Sequence, residues 1–561
     1  MDWIRATLSN TNYPTSLPLT TTHAYVRPRS RSPSPSPSSP RSRPTSPYPP
    51  EFEPKASFAA LSFVNVTLPS LGRHCLRKCI HFLAPSFLQP SPAPAPSPLP
   101  SNHPLRPAAG ARKLSPTAYL DGLRGTAALF VFVYHFIYVY YPGLEHGYLF
   151  ASTDTNPLQL PILRLFMSGP SMVSIFFVIS GYVLSYKALS QIRRADHASL
   201  LVTLSSSTFR RAIRLFLPTL ISIIFIALLV QCGAFTWQAQ HARGKKEIPW
   251  RREPDPPFLE GLWPQLSNAF SEWGRLSNPF VWRVYSLTYD LHLWTIPVEF
   301  RGSIVVFVSL LGLARAKTWV RVVTLAGFAI ACLVYLDRWD VSLFLAGAVL
   351  AELTLIRVER KAKKREEEEE EGEAAGVGEE RDEEPPRWGN DLCMLPFLIL
   401  GLYVASQPAH KPARTPGYRT LMAYIPATVA AKKRFWPMVG AVLIVMALTM
   451  STGRILKRPF TTAFAQYLGR ISYALYLVHG PVCRTVGYYT VVRLWEVTGR
   501  ETTGGYFLGV LVGWLLVLVT TFWLSDIFWR VVDVGCVRFA RWVENICTRK
   551  TDKLEEKTTA L

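Results

Sequence analysis

Acidic residues are scarce beside basic ones: 39 Asp and Glu face 61 Lys and Arg, a formal net charge of +22. In a soluble chain that balance would suggest nucleic acid, but no zinc-finger spacing and no basic helix clear of the apolar runs is present, so nucleic acid is excluded as a partner. Cysteine is sparse and dispersed, with eight residues at 75, 79, 232, 332, 393, 483, 536 and 547. Such scatter excludes a disulfide framework, and Cys75 and Cys79 stand too isolated to hold a metal, so no metal centre is expected. No continuous apolar stretch follows Met1, so no secretory signal is expected. A P-loop and a G-x-S-x-G elbow are missing too, which removes phosphate-cradling NTPases and serine hydrolases of that type.

What is present divides into two regimes. Residues 1–116 are Pro/Ser-rich, with 13 Lys and Arg against 3 Asp and Glu, and the run RPRSRSPSPSPSSPRSRP cannot bury a core. This segment reads as a disordered cytoplasmic tail, with 57–88 suited to an interfacial amphipathic helix that Pro69 would interrupt. The rest is dominated by long apolar runs, each of the ~20 residues needed to cross a ~30 Å hydrocarbon core. The expected fold is all-α: a polytopic membrane bundle of about ten helices, near 118–141, 165–186, 212–232, 288–312, 319–336, 341–357, 392–407, 436–452, 471–492 and 505–529.

With the N-terminus in the cytoplasm, the basic stretches 193–214, 315–321, 357–365, 454–458 and 530–541 all fall on the cytoplasmic side, as the positive-inside rule requires. Both termini are therefore expected there, including a tail over 531–561. The segment 408–435, with Lys411, Arg414, Arg419, Lys432, Lys433 and Arg434, runs against the rule. Within the membrane domain of 117–530, residues 358–388 form an insertion with six consecutive glutamates at 366–371, expected to be solvated and disordered.

Ionisable groups inside apolar spans are costly and mark candidate sites. In the first span, YLDGLRGTAALFVFVYHF, Asp121 and Arg124 are i, i+3 neighbours. His135 lies eleven residues after Arg124 on the same face, ~16 Å along the helix. An imidazole there is suited to take a proton from a hydroxyl and return it to a leaving group. Glu299, in LHLWTIPVEFRGSIV, is expected to meet His135 at similar depth and orient it. Arg210, Arg211 and Arg214 in FRRAIRLFLP present forked donors that match phosphates, or simply obey the positive-inside rule. Ser180 and Gly181 in FFVISGYVLS, and Tyr473 and His479 in GRISYALYLVHGPV, complete the candidates with Asp121 and Trp294.

Together and in this order, these five segments resemble the acyltransferase 3 family of integral membrane acyltransferases, over roughly 117–529. The resemblance implies transfer of an acyl group, often acetyl, from a thioester such as acyl-CoA to a hydroxyl of a carbohydrate, lipid or secondary metabolite. It makes His135 similar to the family's catalytic base, Arg124 its arginine partner, Arg211 and Arg214 the basic pair at the donor's phosphates, and Trp294 and Glu299 its Trp/Glu segment. Acyl-CoA is then a co-substrate, no tightly bound cofactor is expected, and transfer either directly or through an acyl-enzyme stays open. The His–four residues–Asp motif of soluble-headed glycerolipid acyltransferases is missing. A transporter without covalent chemistry accounts for the spans equally well, but not for the pairing of Arg124 with His135.

Overall fold

The computed structural model describes residues 114–235, 254–374 and 388–548, with 83–86 and Gln89. The chain divides into two units, Met1–Pro69 and Ser70–Leu561. The first lies outside the described residues, as do most of the expected interfacial helix and both N-terminal cysteines, and the fold below is that of the second.

Every described element is helical. The α-helices of six residues or more are, in chain order, α1 (Ala118–Tyr140), α2 (Gly169–Arg193), α3 (His197–Gln231), α4 (Leu262–Leu276), α5 (Thr295–Gly312, entered by a 3-10 turn Leu291–Trp294), α6 (Thr318–Val334) and α7 (Trp339–Ala374). There follow α8 (Trp388–Ala405), α9 (Tyr418–Ala423), α10 (Lys432–Met450), α11 (Ala463–Val482), α12 (Tyr488–Thr498), α13 (Thr503–Phe528) and α14 (Val534–Cys547). Three starts are set by side-chain caps: Asp196 accepts from Ser199 N, Thr462 from Ala465 N and Thr502 from Gly505 N. Seven helices are long and apolar enough to cross a membrane, and two shorter apolar ones, Thr318–Val334 and Asn390–Ala405, lie where spans were expected.

Two crossings hold the bundle at the site. Where α1 meets α11, a Cβ on Gly125 would stand 2.3 Å from Gly469 N. Where α2 meets α7, a Cβ on Gly181 would stand 2.0 Å from Phe344 O, and one on Gly347 2.2 Å from Val178 O. Between apolar helices in lipid, such close approach supplies the packing that a hydrophobic driving force supplies in water.

One expectation changes, and two segments gain detail. The acidic insertion is helical as far as Ala374: α7 runs unbroken through the glutamates, with Lys363–Glu367 (3.3 Å) and Lys364–Glu368 (3.1 Å) paired one turn apart. Adding residues to a helix already nucleated by packing costs little, which outweighs the repulsion of exposed like charges. The expected C-terminal tail begins as α14, packed on α3 and tied by Arg210 to Glu544 at 3.0 Å. The basic segment 408–435 folds as a 3-10 turn (Pro412–Arg414), α9 and the start of α10. It lies at the Tyr140 end of α1, because Arg164 bridges the carbonyls of Glu145 and Ser406 at 3.2 and 2.9 Å.

If the α2–α7 crossing carries the fold, Gly181→Ala lowers the thermal unfolding midpoint in detergent, since overpacking costs about 1–3 kcal/mol. Gly535→Ala, where nothing lies within 4 Å of the added methyl, leaves it in place. Equal midpoints for the two variants would remove the crossing from the account.

Candidate active site

His135 sits five residues before the end of α1. Its ring meets His292 edge-on with centroids 3.9 Å apart, and His292 Nε2 lies 3.0 Å from His135 Nδ1. On its other side, His292 Nδ1 lies 2.7 Å from Asp290 Oδ1, which also accepts from the His292 backbone N–H at 2.9 Å. Asp290 and His292 are 1% and 6% exposed, so this carboxylate has no solvent to neutralise it. The chain of contacts fixes the protons in order. Asp290 accepts from His292 Nδ1–H, so His292 Nε2 is an acceptor, and His135 Nδ1 must donate to it. His135 Nε2 is then left with a lone pair and no hydrogen bond among the described residues.

Two features lock this arrangement. The Leu291–Trp294 turn ahead of α5 is capped by Asp290, so one carboxylate sets both the backbone and the imidazole. Tyr476 of α11 donates to the carbonyl of His292 and lies 2.7 Å from Thr295 Oγ1. Gly480 of α11 faces the pair so closely that a Cβ would stand 2.7 Å from His292 Nδ1. His479, one residue earlier, donates Nδ1–H to Leu475 O at 3.1 Å, while its buried Nε2 has no partner. The three imidazoles each offer a nitrogen within 4.8 Å of the others, a spacing that also admits one metal ion.

At the opposite end of α1, Arg124 donates to Ser472 Oγ and Gly469 O, each at 3.1 Å, and pairs with Asp121 at 3.1 Å. Arg211 of α3 binds Glu299 Oε1 at 2.9 Å and Ser303 Oγ at 2.9 Å. Ser180 donates to the same Glu299 oxygen at 3.3 Å. Arg214, one turn on, is exposed and has no hydrogen-bond acceptor among the described residues, though Arg211, Arg210, Arg124 and Asp533 surround it. Tyr473 donates to Leu215 O at 2.6 Å, joining α11 to α3 beside this cluster.

The sequence-level candidates therefore fall into two groups rather than one. His135 and His479 stand together, whereas Arg124, Asp121, Arg211, Arg214, Ser180, Glu299 and Tyr473 gather at the other end. The expected contact of Glu299 with His135 is corrected: Glu299 is held by Arg211 and Ser180, and His292 occupies its place. The physical reason is axial. Seven residues separate His292 from Glu299, about 10 Å of rise, so only the turn ahead of α5 reaches the depth of His135. Gly181 is spent on the α2–α7 crossing, and Arg210 is drawn to Glu544 of α14. Trp294 stands as a wall, its indole 6.3 Å from that of Trp339. Asp290 and His292 were missed, although a D-x-H at the entry of an apolar helix is a visible signal.

The chain matches the acyltransferase 3 family model, described as an acyltransferase domain, over residues 117–530. Curated relatives include the O-acetyltransferase PaAT-1 of Phomopsis amygdali, 31% identical over 460 residues, covering 77% of this chain and 85% of that protein. Acyltransferase clz18 of Cochliobolus lunatus is 28% identical over 74% of this chain and 93% of its own length. Acyltransferase R4 of a Phoma species is 27% identical over 75% and 94%. No solved structure matches the chain.

A carboxylate that fixes the tautomers of two imidazoles must show in turnover. Asp290→Asn is expected to lower kcat for acyl transfer by about 10²-fold or more, the scale of general acid–base assistance, with little change in KM for the donor. Gly480→Ala should move kcat the same way, because its methyl displaces His292. A loss confined to KM in either variant would refute the tautomer argument.

Proposed function

The chain belongs to this acyltransferase family and is a multi-pass membrane O-acyltransferase, and for its reaction we propose transfer of an acyl group, acetyl first among them, from acyl-CoA to a hydroxyl of a carbohydrate, lipid or secondary metabolite. The observation that carries the mechanism is the series from buried Asp290 and His292 to half-buried His135, which leaves His135 Nε2 unprotonated and unbonded among the described residues. The acceptor hydroxyl gives its proton to Nε2 as its oxygen attacks the thioester carbonyl carbon. The new C–O bond forms, the C–S bond breaks, and the CoA sulfur takes the proton from the imidazolium. The products are an ester and free CoA. The charge arising on His135 is stabilised through His292 by Asp290.

The donor is assigned to the Arg124 end, which this reading places in the cytoplasm together with both termini. Arg214 is exposed and without an acceptor, so it is the cation best placed for a phosphate, with Arg211 beside it and Arg124 towards the thioester. Arg211 is already committed to Glu299, so its part is to set the position of α3 against α5. The acetyl donor is favoured by the name of the relative from Phomopsis amygdali, an O-acetyltransferase. No tightly bound group is required on this reading.

A second reading is favoured by one observation, the buried and unpartnered His479 Nε2 beside the other two imidazoles. On that reading His135, His292 and His479 would hold a divalent ion, with Asp290 orienting His292 from behind, and the ion would supply Lewis-acid activation of the acceptor hydroxyl. Elemental analysis separates the two. The proton-relay reading expects no stoichiometric metal in protein purified without chelator, and full activity after chelation. One equivalent of zinc, lost together with activity, would establish the metal reading.

The central test compares detergent-purified wild type with His135→Ala and Arg214→Gln, given radiolabelled acetyl-CoA and a lipid and polysaccharide extract. His135→Ala is expected to transfer no label while eluting and melting as the wild type does. Arg214→Gln should raise KM for acetyl-CoA by about tenfold, the loss of one charge-assisted contact, and weaken the salt dependence of KM. Normal turnover by His135→Ala would sink the base assignment.

A further inference from the structure

The basic segment that violates the positive-inside rule ends in Arg434, near the start of α10. Its guanidinium lies 4.3 Å from the ring of Trp339 and 5.4 Å from that of Trp294. Trp294 is two residues from His292, on the same capped turn. The other electrostatic neighbours of Arg434 are Asp340 and Tyr134, and the ring of Tyr134 meets that of His135 edge-on, 5.0 Å away. Arg434 therefore stands beside the base, at the end of the bundle opposite the donor arginines.

Its hydrogen bonding is incomplete. Among the described residues none accepts from the guanidinium, although the side chain is half-buried against two indoles. Asp340, the nearest carboxylate, is paired with Arg338 and forms no ion pair with Arg434. Cation–π contact holds the flat faces of the group and leaves its N–H edges open. An edge of two parallel N–H donors is matched by a planar carboxylate, and an unpaired cation in partly dry surroundings calls for such a partner. Its place fits this use as well, because a cation on this side serves neither topology nor the donor's phosphates.

We infer that Arg434 anchors the acceptor: it receives a carboxylate of the acceptor molecule, while Trp294 and Trp339 bound the apolar body of that molecule and present its hydroxyl to His135. The acceptor class is a hydroxylated, largely apolar carboxylic acid. This rests on the assignment of His135 as the base.

The test follows label from radiolabelled acetyl-CoA into a metabolite extract of the organism that makes the protein. One portion is untreated, one methyl-esterified with diazomethane, and one treated with phosphatase. Wild type is expected to label the untreated and phosphatase-treated portions and not the methylated one. Arg434→Gln should lower labelling about tenfold or more, as loss of a charged hydrogen bond does, with Arg434→Lys between. Equilibrium dialysis with labelled acetyl-CoA, whose site is remote, reports whether Arg434→Gln remains folded. Equal labelling of the methylated portion, or wild-type labelling by Arg434→Gln, would overturn the inference. Loss of label on phosphatase treatment would also overturn it, by putting a phosphate at Arg434, and so would hydrolysis of acetyl-CoA with no labelled product from any portion. The base assignment fails separately, if His135→Ala transfers label as the wild type does.

Discussion

The structure turns on a carboxylate that has no water to neutralise it. Asp290 is 1% exposed, and a carboxyl in such surroundings is costly unless it is hydrogen-bonded; its Oδ2 has no partner among the described residues, so the whole burden falls on Oδ1. One oxygen accepts twice, from the backbone and the ring of His292. That double demand shapes the turn ahead of α5, brings Gly480 of α11 against the pair, and points the remaining nitrogen of His292 at His135. Were Asp290 neutral, the two imidazoles would have no fixed proton order. The order of donors and acceptors along the series thus follows from where one carboxyl is buried.

Holding that geometry is the task of the helix crossings. α1 delivers His135 and α11 delivers Tyr476, His479 and Gly480, and the two meet through Gly125 and Gly469 with no room for a side chain. The same helices carry Arg124 and Ser472, bonded to each other at 3.1 Å. The α1–α11 pair is therefore a rigid spine with a cation at one end and the imidazole cluster at the other. α3 and α5 are joined to it by Tyr473 on Leu215 O and by Tyr476 on the carbonyl of His292.

Much of this was legible in the sequence. The apolar runs placed the helices, and the spacing of Arg124 and His135 put both on one face, because a helix repeats its faces on a known period. Contacts between helices were a different matter. Glu299 looked like the partner of His135 because a carboxylate in an apolar span attracts notice, whereas Asp290 and His292 sit at a span entrance, where polar residues are ordinary. Depth decides between them, and depth depends on how far α5 is shifted along its axis against α1, which no periodicity reports. The glutamate run misled for another reason: local composition speaks for solvation, but α7 reaches it already formed.

With His135 as the proposed base, its position along α1 bears on the roles of the two ends. His135 is eleven residues from Arg124, ~16 Å, but only five from Tyr140, ~8 Å. A reactant held by its phosphates at the arginine end must cross the longer distance to reach Nε2, which suits a CoA thioester at the tip of its extended pantetheine arm. A reactant entering from the Tyr140 end has the shorter path, past Tyr134 and Trp294, and needs no such arm. On the proposed assignment, this asymmetry gives the long reach to the donor and the short one to the hydroxyl, so that each substrate would meet His135 without displacing the other. The order along the bundle, arginine cluster, then imidazoles, then Arg434 with its two indoles, is the order that the proposed two-sided delivery to His135 requires.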